Sequence, residues 1–316
     1  MRSGVTAVKS NPSKAEPIRQ PTLFGMQKLE QADRPVNVER PHPEWLLMGT
    51  SAFTAAGWPG SFYPPGMKSS DYLTYYATQF RTVEIDSTYY GTPAAATVES
   101  WYRKTPADFI FAAKIPQVIT HTNMLVNYEP EFDEFIERMC LLKEKLGPLL
   151  FQFPHFDKYE FDTQDEFLHR LRPFLKRATG SFAVRFAVEI RNKNFLNSRL
   201  TDLLREYKVA LALTDTSFMP RPWEYKEKFE LITADFTYVR WLGDRKRIEE
   251  LTRTWDKVIV DRRDDLVKWA EVFRQFSDTI QVYTYANNHC AGNGPETVKL
   301  FWELLDQPRA PRTVNE

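Results

Sequence analysis

The sequence predicts an α/β protein whose main domain is a (β/α)8 barrel of the TIM type, and three observations support this prediction. Eight short apolar runs rich in β-forming residues alternate with amphipathic helical stretches from Trp45 onward. Most of these runs are continuously apolar, as parallel strands covered on both faces are. Eight such units over roughly 260 residues match the usual size of this barrel. A doubly wound open sheet is the competing fold, and the count of eight favours the barrel.

The composition divides the chain into three parts. Residues 1–44 contain six prolines among polar and charged residues, and such a segment cannot bury enough apolar surface to offset the entropy of ordering. We therefore expect a disordered N-terminal tail over residues 1–44. The barrel domain is expected over residues 45–308, followed by a short C-terminal tail over residues 309–316.

The predicted strands and helices alternate in order along the barrel domain. The strands cover residues 45–50, 81–86, 109–115, 148–153, 186–191, 209–215, 236–241 and 280–286. The second helix begins at Pro93, which suits the first position of a helix. The third begins at Pro130 and ends at Gly147 and Pro148, a helix stop followed by a strand. The other helices begin at Ser69, Thr163, Asn197, Asp264 and Gly294, and the connection over residues 216–235 is only weakly helical.

Charge and cysteine content exclude several classes of protein. Lys plus Arg and Asp plus Glu both number 42, so the formal net charge is zero and no bulk attraction to nucleic acid or an acidic membrane is expected. Cys140 and Cys290 give neither a disulfide framework nor a zinc-binding spacing, and Cys140 is predicted to be a buried helical thiol. No apolar run reaches about 18 residues, and no secretory signal is apparent. These features predict a soluble, cytoplasmic protein without a membrane partner.

A polar residue follows or ends every predicted strand, which is where barrels of this type place their chemistry. In chain order these residues are Ser51, Glu84, Asp86, Lys114, Gln152, Glu189, Arg191, Asp215, Arg240, Asn287 and Asn288. Any one of them could be an ordinary rim residue or part of a buried ion pair. A purely structural barrel, however, has no need to bring so many charges to one mouth.

The strongest candidates for catalysis are Glu84, Glu189 and Lys114. Side chains alternate along a strand, so Glu84 shares a face with Asp86, and Glu189 shares a face with Arg191. If the two glutamates on the second and fifth strands face inward, one would act as a general acid and the other as a general base. Lys114 would hold an anion, neutralise Glu84 or, if desolvated, form a Schiff base.

The other candidates are assigned to substrate binding. Arg191 and Arg240, together with Lys114, are predicted anion holders, and Asn287 and Asn288 are predicted to orient the substrate. The remaining predicted contacts are Asp86, Tyr89, His121, Gln152 and Asp215. A lone histidine after a strand, such as His121, is more often a loop residue that makes hydrogen bonds. The aromatic residues near these loops either pack the top of the barrel or stack on a sugar or base; they are Trp58, Tyr63, Tyr89, Tyr90 and Trp241.

Several motifs resemble those of the YecE-like family, a domain of unknown function (number seventy-two). They include "GTSAFTAAGWPGSFYP", "FRTVEIDSTYYGTP", "KLGPLLFQFP", "AVEIRNKNF", "YVRWLG" and "YTYANNHCAGNGPETVKL". The resemblance covers about residues 46–305 and preserves the order of the motifs. It implies a TIM-type barrel, and it implies no reaction because that family has no established activity.

The chain departs from the family pattern at two places. The family often has a His-Ser-Trp-like run after the fifth strand, where this chain has Asn192-Lys193-Asn194-Phe195. It often has a histidine shortly after the "YVR" motif, where this chain has Trp241-Leu242-Gly243. No role for those imidazoles carries over to this protein.

The barrel also resembles, more distantly, the xylose-isomerase and endonuclease-IV-like barrels, which hold divalent metals. Glu189 and Asp215 would supply two oxygen ligands, but Arg240 on the seventh strand supplies none and Asn287 only a weak one. A trinuclear zinc site needs many more histidines and carboxylates. The sequence therefore predicts no tightly bound metal and no cofactor, and it leaves a weak Mg²⁺ or Mn²⁺ site open.

The N-terminal tail carries one segment that suggests a partner. Gln20, Leu23 and Phe24 resemble the short peptide by which bacterial DNA-maintenance proteins bind the sliding clamp. In such a peptide the leucine and phenylalanine enter an apolar pocket and the glutamine amide fixes the register. The alternative is that Leu23 and Phe24 pack on the protein's own barrel. This alternative is favoured, because chance matches to so short a motif are common.

These features lead to one functional hypothesis and one alternative. We expect an enzyme that performs acid–base or hydrolytic chemistry on a polyhydroxylated or phosphorylated small substrate at the mouth of the barrel. The alternative is a nucleic-acid-binding or DNA repair factor recruited to the sliding clamp through its tail. In that case the same cations would contact phosphates and the aromatic rings would stack on bases.

Overall fold

A computed structural model of the protein describes residues 43–276 and 280–307. Eight strands are present in this part of the chain: β1 Leu46–Thr50, β2 Thr82–Ile85, β3 Ile110–Lys114, β4 Leu146–Gln152, β5 Phe186–Glu189, β6 Ala210–Thr216, β7 Phe236–Gly243 and β8 Gln281–Ala286. The predicted segment of Gln20, Leu23 and Phe24 lies outside the described residues, as does the predicted C-terminal tail.

Helices connect the strands in the described chain. They are α1 Tyr72–Gln79, α2 Ala95–Arg103, α3 Glu129–Met139, α4 Gln164–Ser181, α5 Ser198–Glu206, α6 Pro222–Tyr225, α7 Arg245–Leu251, α8 Arg263–Phe276 and α9 Gly294–Asp306. Side-chain caps fix several helix starts. Thr163 caps α4, Asn197 caps α5 and Asn293 caps α9, each by accepting a hydrogen bond from a free backbone N–H in the first turn.

The strands form one parallel sheet in the order β1-β8-β7-β6-β5-β4-β3-β2. Because β1 and β2 lie at the two ends of this order, the sheet curls into a nearly closed barrel with the helices outside. The predicted (β/α)8 fold is therefore confirmed. The carboxyl ends of all eight strands lie at one end of this barrel, which we call the mouth.

The seam between β1 and β2 is closed by a side chain. Tyr76, on α1, accepts a hydrogen bond at its hydroxyl from the Thr50 backbone N–H (2.8 Å) and donates one to the Thr82 carbonyl (3.2 Å). Gly49 permits this approach, because a Cβ atom at that position would lie 2.0 Å from the Thr82 carbonyl oxygen. A glycine in β1 thus decides how closely the barrel closes.

Substituting Gly49 with alanine is therefore expected to destabilise the protein. The two strands must separate to admit the methyl group, and overpacking of this kind costs about 1–3 kcal/mol. The measurement is the free energy of unfolding in urea. Gly180→Ala is the matched control, because a Cβ atom at Gly180 in α4 meets nothing within 4 Å. An equal effect of the two substitutions would contradict the proposed role of Gly49 in the seam.

The barrel interior is filled differently from the layer outside it. Small residues line one part of the interior, including Ala112, Ala187 and Ala212, and they leave room for the large rings of Tyr238 and Tyr285. The outward faces of the strands pack against the helices in a much larger apolar cluster. The interior is thus a packed core, and the mouth is the end at which polar side chains enter it.

The segment before β4 differs from the prediction. Helix α3 ends at Met139 and continues as a 3-10 segment over Cys140–Lys145, in which Lys143 has a positive φ of 51°. Gly147 and Pro148 lie inside β4 and do not end the helix. Gly147 is needed there because a Cβ atom would lie 2.5 Å from Ile110 of the neighbouring strand.

Cys140 is also placed differently from the prediction. The sequence pattern indicated a buried helical thiol, but the residue is exposed, at the point where α3 changes to the 3-10 segment. This change of helix type turns the side chain away from the core. Cys290 is buried, and burial raises the pKa of its thiol to about 12.

The sixth and seventh connections correspond only in part to the sequence pattern. The weak helical signal over residues 216–235 corresponds to the single turn of α6. Helix α7 was not predicted, because its charged sequence RKRIEEL buries only Ile248 and shows no apolar stripe. None of the described helices is long and apolar enough to cross a membrane.

Candidate active site

Five of the predicted site residues point into the barrel at its mouth. Strand alternation explains this orientation, because residues two positions apart in a strand lie on the same face and the residue two positions earlier lines the apolar interior. The pairs are Ala112 and Lys114, Leu150 and Gln152, Ala187 and Glu189, and Tyr238 and Arg240. By the same alternation Glu84 follows Thr82, whose hydroxyl bonds to that of Tyr285 at 2.8 Å. Glu84 and Glu189 thus both face the interior of the barrel.

Arg240 joins the two glutamates across the barrel. Its Nη2 and Nε atoms donate to Glu84 Oε1 at 2.8 and 3.2 Å, and its Nη1 donates to Glu189 Oε2 at 2.7 Å. All three side chains are at most 2% exposed. Arg240 was predicted to hold a substrate anion, but in the structure its guanidinium is engaged by the protein's own carboxylates.

The remaining oxygens of the two glutamates are also engaged. Tyr238 donates its hydroxyl proton to Glu84 Oε2 at 2.6 Å, and Arg191 Nε donates to Glu189 Oε1 at 3.2 Å. Tyr238 was not among the predicted site residues. Strand alternation could have identified it, because it lies two positions before Arg240 on the same face of β7.

The two glutamates have opposite pKa shifts. Burial raises the pKa of Glu84, and this effect exceeds the opposing attraction of Arg240. Burial also acts on Glu189, but there Arg240 and Arg191 together outweigh it and hold the pKa below its usual value. Their environments thus separate the proton affinities of two carboxyl groups that share one arginine.

A second group of residues lies above this buried bridge and is closer to solvent. Lys114 Nζ is 3.1 Å from Asp86 Oδ1, and the Lys114 and Asp86 side chains are 9% and 38% exposed. The same ammonium group lies 4.1 Å from the centre of the Tyr89 ring. Burial lowers the pKa of Lys114, with Arg240 acting in the same direction and Asp86 opposing both.

His121 approaches the same group from the loop after β3. Its ring lies edge-on to Tyr89, with centroids 5.1 Å apart, and its Nδ1 is 2.8 Å from the Thr120 hydroxyl. Burial and the nearby cations Lys114 and Arg191 lower the pKa of His121 to about 4. The imidazole is therefore neutral at neutral pH, as a proton acceptor must be.

The backbone around His121 is unusual. Residues Val118–Thr122 form a single π-helical turn. Met124, Leu125 and Asn127 follow with positive φ angles of 45°, 64° and 48°. π-Turns and strained backbone both concentrate at functional sites, so this loop supports a functional position for His121.

Arg191 and Gln152 complete the mouth on the β4 and β5 side. The Arg191 side chain is 33% exposed, and its guanidinium lies 5.9 Å from the ring of Phe218, which follows β6. Gln152 is buried and donates from Nε2 to the carbonyl of its neighbour Phe153 at 2.6 Å. Arg191 is accessible to a ligand, whereas Gln152 is held by the backbone.

Asp215 lies outside this group. It faces the helices from the outer side of β6, where its carboxylate accepts from Trp269 Nε1 at 2.9 Å and from Arg262 Nη2 at 2.8 Å. It also lies 3.4 Å from Arg221 Nη2. Asp215 was predicted to contact a substrate at the mouth, but its side chain lies on the outer side of the sheet, because strand alternation turns it away from the interior.

Asn287 and Asn288 are engaged in the loop that follows β8. Asn287 Oδ1 accepts from the His289 backbone N–H at 3.0 Å, and Asn288 Oδ1 accepts from the Gly294 N–H at 2.9 Å. Asn287 caps the short 3-10 turn over Asn288–Cys290, and Asn288 binds the first residue of α9. Their amide oxygens are thus already used within the loop.

The aromatic residues separate into packing and accessible groups. Trp58 and Tyr63 are buried together near α1, and Trp241 is buried between Trp269 and Phe301 on the outside of the barrel. Tyr90 is 80% exposed, and its ring contacts that of Tyr89 at 5.2 Å. Only the Tyr89–Tyr90 pair can therefore contact a ligand at the mouth among these five aromatic residues.

Metal ligands are not clustered in the described part of the chain. No group of three or more histidine, cysteine, aspartate or glutamate side chains is close enough there to hold a metal ion. Glu189 and Asp215, the two ligands considered from sequence, face opposite sides of the sheet.

Comparisons with known proteins agree with the motifs seen in the sequence. Residues 47–315 match the family described as "Protein of unknown function DUF72". The chain is 23% identical over 282 residues to the UPF0759 protein YecE of Escherichia coli strain K12, covering 84% of this chain and 89% of that protein. It is 26% identical over 262 residues to the UPF0759 protein YunF of Bacillus subtilis strain 168, covering 78% and 90% respectively.

Solved structures show the same barrel. A DUF72 family protein from Thermotoga maritima matches with a TM-score of 0.60 at 25% identity, covering 84% of this chain and 100% of that one. Another, from Enterococcus faecalis, matches with a TM-score of 0.63 at 19% identity, covering 85% and 100%. The resemblance seen in the sequence motifs is therefore confirmed, and the chain belongs to the DUF72 family of proteins of unknown function.

Proposed function

We propose that this protein is an enzyme that performs acid–base chemistry on a polyhydroxylated small substrate at the mouth of the barrel. The observation that carries the proposal is the fully buried Glu84–Arg240–Glu189 bridge beneath the Lys114–Asp86 pair. Apolar residues of similar volume often stabilise a core as well as a buried ion pair does. A charged network at the functional end of a TIM barrel therefore indicates selection for function.

The proposal assigns substrate contact to the upper group. Both oxygens of Glu84 and of Glu189 already accept hydrogen bonds, so these two residues position the groups above them. Asp86, Lys114 and His121 are the groups that reach the solvent side, with one carboxylate, one amine and one neutral imidazole among them. This set contains both a proton donor and a proton acceptor.

The charge balance favours a neutral substrate. Three carboxylates at the mouth, on Glu84, Asp86 and Glu189, meet three cations, on Lys114, Arg191 and Arg240. A phosphate would have to displace a carboxylate from one of these cations. Hydroxyl groups donate and accept in turn, and they can bond to both members of an ion pair without separating it.

Nucleic acid is a less supported ligand. The described cations at the mouth are matched by carboxylates, and the segment resembling a clamp-binding peptide lies outside the described residues. A polyanion would need unpaired basic side chains on this face.

The experiment is a binding survey by isothermal titration calorimetry with neutral sugars and polyols alongside their phosphate esters. We expect a neutral compound to bind, and Asp86→Asn to weaken that binding by at least about tenfold, because a charge-assisted hydrogen bond contributes about 1.5–3 kcal/mol. Asp265→Asn is the control, because Asp265 pairs with Arg262 on the outer side of the barrel. Equal binding by wild type and Asp86→Asn, or preference for the phosphate esters, would contradict the proposal.

A further inference from the structure

Two lysines are buried in the described part of the chain, and their surroundings differ. Lys145 is hydrogen-bonded at Nζ to the Tyr102 carbonyl (2.6 Å), the Thr105 carbonyl (2.7 Å) and the Thr105 hydroxyl (3.2 Å). An ammonium group has three protons, and all three of these are directed at fixed acceptors. Burial lowers the pKa of Lys145 as it does that of Lys114, but carbonyl and hydroxyl acceptors at the end of α2 bind its three protons, so its nitrogen is not free to react.

Lys114 has no such set of backbone acceptors. The contacts of its Nζ in the described structure are the ion pair with Asp86 at 3.1 Å and the Tyr89 ring at 4.1 Å. It lies at the carboxyl end of β3, inside the barrel and at its mouth. Asp86 is itself shared, because Arg240 Nη2 lies 3.8 Å from the same Oδ1 atom. The amine is therefore buried but weakly held, and it faces the side from which a substrate enters.

We propose that Lys114 is a nucleophile that forms an imine with the open-chain carbonyl group of a small sugar or related hydroxy-aldehyde or hydroxy-ketone. This inference rests on the proposed function and names both the substrate class and the bond that forms. A desolvated lysine at the functional end of a barrel has the environment that favours such chemistry, because burial disfavours the ammonium form.

The step balances with the groups present. Lys114 transfers one proton to Asp86, and its free electron pair attacks the carbonyl carbon, so that a C–N bond forms while the carbonyl π bond becomes an alkoxide. The alkoxide takes up a proton and the nitrogen gives one up, which yields a neutral carbinolamine. Protonation of its hydroxyl group by the carboxylic acid of Asp86 then lets water leave as the C=N bond forms. No oxidant, reductant or cofactor takes part.

The proton balance at Lys114 is set by groups from several strands and loops. Asp86, Glu84 and Glu189 favour the ammonium form, whereas Arg240 and burial oppose it. Other ionisable groups at the mouth include Tyr89, His121 and Arg191, and His289 after β8 interacts electrostatically with Asp86. Because the pKa of Lys114 is lowered, its neutral fraction at a given pH exceeds that of an ordinary lysine, and imine formation should increase as the pH rises toward that pKa.

The test is reductive trapping with dihydroxyacetone and sodium cyanoborohydride on the full-length protein. Reduction of the imine would add the mass of dihydroxyacetone less one oxygen atom to one lysine, which peptide mass mapping locates. We expect Lys114 to carry at least about ten times the label of any other lysine at low probe concentration, since the neutral amine is the reactive form. Lys145 serves as the internal control, and it should remain unlabelled.

Two variants make the result decisive. Lys114→Arg should lose the dominant label and keep its thermal unfolding transition. Asp86→Asn lowers the Lys114 pKa further, but it removes the acid that expels water from the carbinolamine, so it should slow the labelling without moving it to another lysine. Label spread evenly over exposed lysines in the wild type, which needs no variant to observe, would overturn the proposal. If polyols bind with the Asp86 dependence described above but Lys114 is not labelled, the proposed function stands and the imine is refuted.

Discussion

Replacing Arg240 with methionine should destabilise the protein by about 3–5 kcal/mol, because it removes the cation from two buried carboxylates. Glu84 and Glu189 would remain in the barrel interior with 0% and 1% of their side chains exposed. Glu84 would keep the Tyr238 hydroxyl and Glu189 would keep Arg191, so the loss is large but not complete. The measurement is the midpoint and slope of urea unfolding at neutral pH.

The stability lost in Arg240→Met should be smaller at acidic pH than at neutral pH. In the wild type the lowered pKa of Glu189 stabilises the fold above the unfolded-state pKa, and this contribution is lost as the pH falls through the folded-state value. Glu84 acts in the opposite direction, because its pKa is raised in the folded protein. Without Arg240 both folded-state pKa values rise, so the folded variant binds more protons than the unfolded chain. The deficit of Arg240→Met should therefore shrink as the pH falls from about 7 toward about 4.5.

The control for this substitution is Arg245→Met. Arg245 also pairs with a glutamate, Glu249, at 2.7 Å, but its side chain is 77% exposed. Its replacement should change stability by no more than about 0.5 kcal/mol. A deficit of Arg240→Met that stays constant with pH would show that the buried carboxylates are not what the arginine neutralises.

Replacing Asp215 with alanine should cost about 2–4 kcal/mol and leave the mouth intact. The substitution removes the acceptor for the Trp269 N–H and one carboxylate partner of Arg262, both in the layer between β6 and α8. Arg262 keeps Asp265 at 2.9 Å, which limits the loss. The measurement is again urea unfolding, and trapping at Lys114 should be unchanged in the folded variant.

Asp265→Ala provides a matched comparison, because Asp265 shares Arg262 with Asp215 but is 30% exposed. We expect a loss below about 1 kcal/mol for this more exposed partner. If the Asp215→Ala variant is fully folded but shows reduced trapping at Lys114, the purely structural role of Asp215 is contradicted. Asp215 would then contribute to the active site.

The sequence by itself determined the architecture of this protein. Continuously apolar strand runs alternating with amphipathic helices specify a parallel sheet with both faces covered, and their number specifies the barrel. Strand alternation also determined that Glu84 shares a face with Asp86 and Glu189 with Arg191, because residues two positions apart in a strand lie on the same side. These properties are local, so neighbouring residues suffice to define them.

The tertiary structure decided which polar strand ends meet. Asp215 and Arg240 both lie near the ends of apolar runs, yet Asp215 faces the helices and Arg240 the interior. Arg240 lies two positions after the inward-facing Tyr238, whereas Asp215 lies three positions after the inward-facing Ala212. The sharing of Arg240 between β2 and β5 depends on barrel closure, which brings strands distant in sequence within hydrogen-bonding reach. Helix α7 and the π-turn at His121 likewise lack a local apolar signature.

The chemical character of each site residue was decided by the same long-range contacts. The sequence places Lys114 in a predicted strand and Lys145 in a predicted helix, but it does not reveal the surroundings of either amine. One faces carbonyl groups that hold all its protons, and the other faces Asp86 at the mouth. Burial, hydrogen-bond partners and nearby charge set the reactivity of an ionisable group, and all three arise only when distant parts of the chain come together.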